Sequence, residues 1–169
     1  MPSRTDLIAA TASLCTAFST GAPLDKIIAT FTTNPQPFAH EHGLGSLAPF
    51  LGRTFKGQNG LTEYFNTLNG CLGIEEMSFD DEREWIVDTQ NLTVGLRGKA
   101  KFVAKHTGEK WDERFCYRIS LAEEAEGGGI KVQGYEVWAD TGAAYLALRG
   151  ELKKASGEVR REAEYKTLY

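Results

Sequence analysis

The hydrophobic period of this chain changes once, near residue 72, and that change limits the folds open to it. Upstream, apolar residues recur at helical spacing; downstream they alternate, as in strands. The stretch FKGQNGLTEYFNTLNGCL, residues 55–72, marks the boundary. Leu61, Tyr64, Phe65, Leu68 and Leu72 fall on one stripe of a helix wide enough to pack on a sheet. Gly57 stands where this helix should start, and Gly70 and Gly73 where it should end. Gly60, inside the first turn, works against the helix by roughly 1 kcal/mol relative to Ala.

Two helices are expected before it. Ser3 with Asp6 is spaced as a capping box, and Leu7, Leu14 and Phe18, with Ile8 and Cys15 beside them, carry an apolar stripe to about Ser19. Gly21 breaks this helix, and Leu24, Ile27, Ile28 and Phe31 form a shorter second stripe after Pro23. PFAHEHG then reads as a short extended piece, with Phe38, His40 and His42 on one face and Ala39 and Glu41 on the other. Residues 43–52 are expected to be a loop. Its Leu44, Leu47, Phe50 and Leu51 must lie against something, either covering a cavity or closing the core.

Strands are expected over 75–80, with Met77 and Phe79 on one face, and over 84–88. A longer strand runs from Leu92 to Val103, with Gly98 read as a bulge that lets it bend. After a hairpin turn at HTGEK, Trp111, Phe115, Tyr117 and Ile119 share one face, and Asp112, Arg114, Cys116 and Arg118 the other. The last strand, IKVQGYEVWAD, points Gly134, Glu136, Trp138 and Asp140 one way and Gln133, Tyr135, Val137 and Ala139 the other. Asp140 then caps a short helix that Gly150 ends. The remainder, 151–169, is rich in Lys, Arg and Glu and is expected to be mobile or weakly docked, leaving one domain over 1–150.

At 169 residues, 41% hydrophobic and 25% charged, the chain has the composition of one globular domain. A net charge of −4 gives phosphates no overall attraction, so nucleic acid is a poor partner. The absence of a long apolar run or a leader-like start leads us to expect a cytoplasmic protein without a membrane partner. Cys15, Cys71 and Cys116 are odd in number and far apart, which argues against a disulfide framework or structural zinc. No P-loop, nucleophile elbow, dinucleotide fingerprint or HExxH motif is present.

Helices, one short strand, a helix and then a run of antiparallel strands make an α+β fold with helices on one face of the sheet. Bent strongly, such a sheet closes on its helices as a cone and leaves an apolar cavity. The segments FKGQNGLTEYF and YEVWADTGAAYLALRG, the second a last strand ending in Asp before a short helix and Gly, resemble the nuclear transport factor 2-like superfamily. Within it they are similar to the SnoaL-like, polyketide cyclase branch, with the element order matching over roughly residues 4–150. That fold carries cyclases, isomerases, dehydratases, epoxide hydrolases and pure binding proteins.

The resemblance implies that Asp140 is the counterpart of the Asp that cyclases of this branch use as acid and base in aldol closure. Sharing a cavity with Glu136 and Trp138 would desolvate it and raise its pKa; the plainer role is the helix cap alone. Ketosteroid isomerase relatives keep a general-base Asp soon after their first strand, where this chain offers His40, Glu41 or His42. The two histidines share a face that suits proton transfer, with His40 as partner to Asp140, or they are simply rim residues; no metal site is expected. Tyr64 and Tyr117 either donate to a ligand carbonyl or pack in the core.

The expectation is a pocket for a small apolar or aromatic, polyketide- or terpenoid-like molecule, lined by Phe38, His42, Phe50, Tyr64, Tyr117, Glu136 and Trp138. Chemistry there would be cofactor-free cyclisation, isomerisation or dehydration by proton transfer. The alternative is a non-catalytic member that binds a ligand or associates with another protein. The resemblance, together with apolar residues on both faces of the last strand, also implies a homodimer through the outer sheet face.

Overall fold

The capping box predicted at Ser3 begins the first helix of the computed structural model, which describes residues 2–158. The Ser3 N–H donates to Asp6 Oδ2 at 2.7 Å and the Asp6 N–H donates to Ser3 Oγ at 3.2 Å, opening α1 (Arg4–Ser19). This helix buries Leu7, Leu14 and Cys15. The short α2 (Leu24–Ala29) follows, then β1 (Phe38–Glu41) and β2 (Thr54–Lys56), which pair antiparallel.

The central helix, α3 (Gly57–Cys71), buries Leu61, Tyr64 and Phe65, members of the predicted stripe. Gly57 opens it at φ 72°, a left-handed conformation in which a Cβ is strained, and its N–H donates to the Pro37 carbonyl at 2.7 Å. Gly60 has a different reason to be glycine. A Cβ there would sit 2.8 Å from the Phe55 carbonyl carbon, so its absence lets the first turn of α3 close on β2.

At Leu72 the chain passes straight from helix to β3 (Leu72–Phe79), three residues earlier than the alternation alone suggests. Residues Glu82–Glu84 form a 3-10 turn, which shortens the expected strand over 84–88 to β4 (Ile86–Asp88). Next come β5 (Thr93–Ala104), β6 (Lys110–Glu123) and β7 (Ile130–Trp138), then α4 (Thr141–Arg149) and α5 (Leu152–Glu158).

The strands form one seven-stranded sheet in the order β2-β1-β7-β6-β5-β3, with β4 pairing the N-terminal end of β5. All pairings are antiparallel except β1 with β7, which sets Ala39 beside Tyr135 and Glu41 beside Val137. The sheet curls but stays open, and helices α1 and α3 fill its concave side, as expected of an α+β cone. Register irregularities fall between Ile74 and Glu76 and between Ser120 and Leu121, where an extra residue bends the sheet.

Gly98 is not a bulge. It keeps regular register opposite Phe115, and a Cβ there would lie 2.4 Å from the Phe115 ring. The glycine makes room for that ring and for Phe79, which meet edge to face.

The charged tail begins with α5, which packs on α4. Its first turn is capped from β6's approach: the buried Glu109 carboxylate accepts from the Leu152 N–H at 2.8 Å and the Lys153 N–H at 3.2 Å. The rest of that tail, 159–169, lies outside the described residues. No helix among the described residues is long and apolar enough to cross a membrane.

Candidate functional site

Between the concave sheet face and the helices lies a cavity of about 510 Å³. Tyr64 and Phe65 reach it from α3, Trp111, Phe115 and Tyr117 from β6, and Tyr135 from β7. Phe50 and Leu51 line it as well, so the C-terminal part of the loop at residues 43–52 both covers the cavity and joins the core, whereas Leu44, expected to lie against something, is 69% exposed. The aromatic rings support one another: Phe115 stacks on Tyr117 with centroids 4.7 Å apart, and Tyr117 meets Tyr135 edge to face at 4.9 Å.

Five carboxylates line this largely apolar space: two exposed on β3, Glu75 and Glu76, and the set Glu41, Glu113 and Asp140. Glu41, at the end of β1, is 8% exposed, and its Oε2 accepts a hydrogen bond from the Tyr64 hydroxyl at 2.7 Å. Burial pushes its carboxyl up to about 7; the Tyr64 bond opposes that rise and the charge of Glu113 adds to it. Glu113, on β6, is equally buried and is held at both oxygens, by the Trp111 indole N–H at 2.6 Å and the Asp140 backbone N–H at 2.9 Å. Its pKa is also raised, chiefly by burial. Asp140 completes the set at the junction of β7 and α4, where Oδ1 caps the helix by accepting from the Ala143 N–H at 3.0 Å. The Tyr64, Tyr117 and Tyr135 hydroxyls are all pushed above the usual phenol range, first by burial.

The structure divides the residues singled out from the sequence between the two faces of the sheet. Asp140, Phe50, Tyr64 and Tyr117 line the cavity. Asp140 is exposed at its edge; the carboxyls that burial raises are those of Glu41 and Glu113. Phe38, His40, His42, Glu136 and Trp138 gather on the convex face. There the His42 ring stacks on Trp138 at 4.0 Å and 11°, and lies 4.4 Å from the His40 ring. His40 Nδ1 is 2.9 Å from Thr54 Oγ1, Glu136 accepts from Arg118 at 2.6 Å, and Phe38 packs over Gly134. The expected Asp140–His40 pair is therefore not formed, because strand alternation puts His40 through the sheet from the cavity.

Of the three residues offered at the general-base position, Glu41 is the one that enters the cavity, and Glu113, Tyr135 and Trp111 join it there. Their signal was parity. Glu41 shares the Ala39 face of β1, and Glu113 falls between Trp111 and Phe115 on the apolar face of β6. A carboxylate recurring within an apolar alternation marks a polar group turned inward. Among the described residues, no group of three or more His, Cys, Asp or Glu is arranged to hold a metal ion.

No family model and no curated protein matches this chain. Its architecture does match solved structures. A ketosteroid isomerase-like protein from Erwinia carotovora atroseptica superposes with a TM-score of 0.61 at 17% identity, over 80% of this chain and 95% of that one. An NTF2-like protein from Burkholderia thailandensis gives 0.61 at 17%, over 86% and 96%. The BvnE pinacolase from Penicillium brevicompactum gives 0.60 at 16%, over 92% and 99%. At these identities the likeness is one of architecture, and superposition over most of both chains places this chain in the nuclear transport factor 2-like fold.

Proposed function

We propose that the cavity binds a small, largely apolar molecule and that Glu41 moves a proton within it, as in the cyclisations and isomerisations of SnoaL-like and ketosteroid isomerase-like proteins. One observation carries the reading: a buried carboxylate, hydrogen-bonded by Tyr64, inside an aromatic cavity of about 510 Å³. A carboxyl whose proton leaves at about 7 takes a proton and returns it near neutral pH. The Tyr117 and Tyr135 hydroxyls are the donors suited to polarise a ligand carbonyl, and Glu113 with Asp140 supplies a second acidic group on the neighbouring wall. His40, on the convex face, takes no part. That solved structures of this shape include a ketosteroid isomerase-like protein and a pinacolase is in keeping with such chemistry.

The test is hydrogen exchange into a panel of cyclic ketones in D2O, followed by mass spectrometry. The native protein should speed deuterium uptake next to the carbonyl of those ketones that bind, and Glu41→Gln should abolish the effect. Binding without exchange, or exchange that survives in Glu41→Gln, refutes the assignment. On the convex face, Trp138 is 43% exposed and stacked on His42, an aromatic patch suited to pairing with a second copy. Sedimentation at a monomer mass at micromolar concentration would contradict that association.

A further inference from the structure

We propose that the ligand of this cavity carries a positive charge, as an aliphatic ammonium group, or develops one as it reacts, and that this charge sits between Glu41 and the aromatic walls. The inference deepens the reading of the cavity as a binding site and rests on it.

The first observation is a missing counter-charge. Buried carboxylates are ordinarily paired with a cation, yet neither Glu41 nor Glu113 joins any ion pair among the described residues. Glu41 uses only Oε2, on Tyr64, and its Oε1 has no partner among the described residues. The second is the wall: the rings of Tyr64, Phe65, Tyr117, Tyr135 and Trp111 surround the same space, and aromatic faces attract cations most strongly where water is excluded. The third is the sign of the remaining charge. Of the other charged residues lining the cavity, Asp140, Glu75 and Glu76 are acidic, and all three are exposed at its edge. The one basic residue, Lys105, is also exposed, and its ammonium is engaged with the Asn69 carbonyl. Glu75 is itself paired with Lys110. The field at the entrance thus draws cations inward and repels anions.

The experiment is calorimetric titration with two probes of nearly equal shape, cyclohexylmethylamine and cyclohexylmethanol, at pH 8 and pH 5.5. The amine stays protonated at both, so a change in preference comes from the protein: Glu41 and Glu113, whose carboxyls burial pushes upward, face the probe within the cavity, with Asp140, Glu75 and Glu76 at its edge. At pH 8 the amine should bind about tenfold more tightly than the alcohol. That preference should shrink to about threefold or less at pH 5.5 and in Glu41→Gln, and should weaken in Glu113→Gln. Equal or tighter binding of the alcohol at pH 8, binding of neither probe, or a preference that persists in Glu41→Gln each overturns the proposal. Its failure is distinct from failure of the proton-transfer reading. A cavity that prefers the alcohol yet still catalyses exchange keeps the chemistry and loses the cation, whereas one that prefers the amine and exchanges nothing does the reverse.

Discussion

Replacing Glu41 by Gln should make the protein more stable at pH 8, although it removes the residue assigned the chemistry. The Glu41 carboxyl loses its proton at the ordinary 4.5 in the unfolded chain and at about 7 in the folded one. Between those values the folded state holds a proton that the unfolded state has released, so stability falls as pH rises through this window. Above it, ionising the buried carboxyl costs the folded state on the order of 3 kcal/mol; at pH 5 the cost is below about 1 kcal/mol. Gln keeps an oxygen for the Tyr64 hydroxyl and fills nearly the same volume, but never ionises. The variant should therefore gain between about 1 and 3 kcal/mol over the native protein at pH 8, the lower figure applying if water enters the cavity, and almost nothing at pH 5. For a chain of this length each kcal/mol moves Tm by roughly 2–4 °C. Urea unfolding followed by tryptophan fluorescence at pH 5, 6, 7 and 8 measures the gap directly. A variant no more stable than the native protein at pH 8, or a gap that does not change with pH, would falsify the account of Glu41 as a buried, destabilising carboxylate.

Other outcomes follow from single contacts. Asp140→Ala should cost about 0.5–2 kcal/mol by removing the cap of α4, while Asp140→Asn should cost little; if Asp140 also exchanges protons, the Asn variant will keep its stability in urea and lose ketone exchange. Gly98→Ala should destabilise by about 1–3 kcal/mol in the same assay, because its methyl meets the Phe115 ring. An increase in stability there would show that Phe115 has room to move. Glu109→Ala should cost about 1 kcal/mol and speed amide exchange at residues 152–155 while leaving β5 and β6 protected, since its carboxylate caps only α5. Unchanged exchange at those amides would mean that α5 is held by its packing alone.

Local patterns made the fold legible. The stripe of α3 as far as Leu68, the Ser3 cap, the paired faces of β6 and the Asp140 cap are each specified by residues a few positions apart, and each forms as read; Leu72, the last member of the stripe, opens β3 instead. Gly98 shows where that reading stops. A glycine inside a strand is either a bulge or a close approach, and only the partner strand, which brings Phe115 opposite it, decides. The cavity depends on the same kind of distant information. Alternation sorted β1, and β7 as far as Trp138, into two faces; Asp140, read on the Trp138 face, lies past the strand's end and lines the cavity, and which face is concave depends on where α1 and α3 pack. The polar, aromatic set of His40, His42, Glu136 and Trp138 looked more like chemistry than the set holding Ala39, Tyr135 and Val137. Burial favours the second set, and Glu41 goes inside with it. The clue within reach was that Glu41 and Glu113 each interrupt an apolar face; what joins them in one cavity is tertiary packing.

β1 is only four residues long, and its phase is held by short ladders on both sides, antiparallel to the three residues of β2 and parallel to β7, with the His42 N–H on the Val137 carbonyl at 2.9 Å and the Gly52 N–H on the Glu41 carbonyl at 2.9 Å. A strand slipped by one residue turns every side chain to the opposite face. In this strand acidic and imidazole groups alternate, so a slip would exchange the carboxylate in the cavity for a histidine and carry Glu41 to the convex surface. A single-residue insertion or deletion ahead of Phe38 is thus a short path from an acid-lined cone to a base-lined one, with the sheet, the helices and the aromatic walls left as they are.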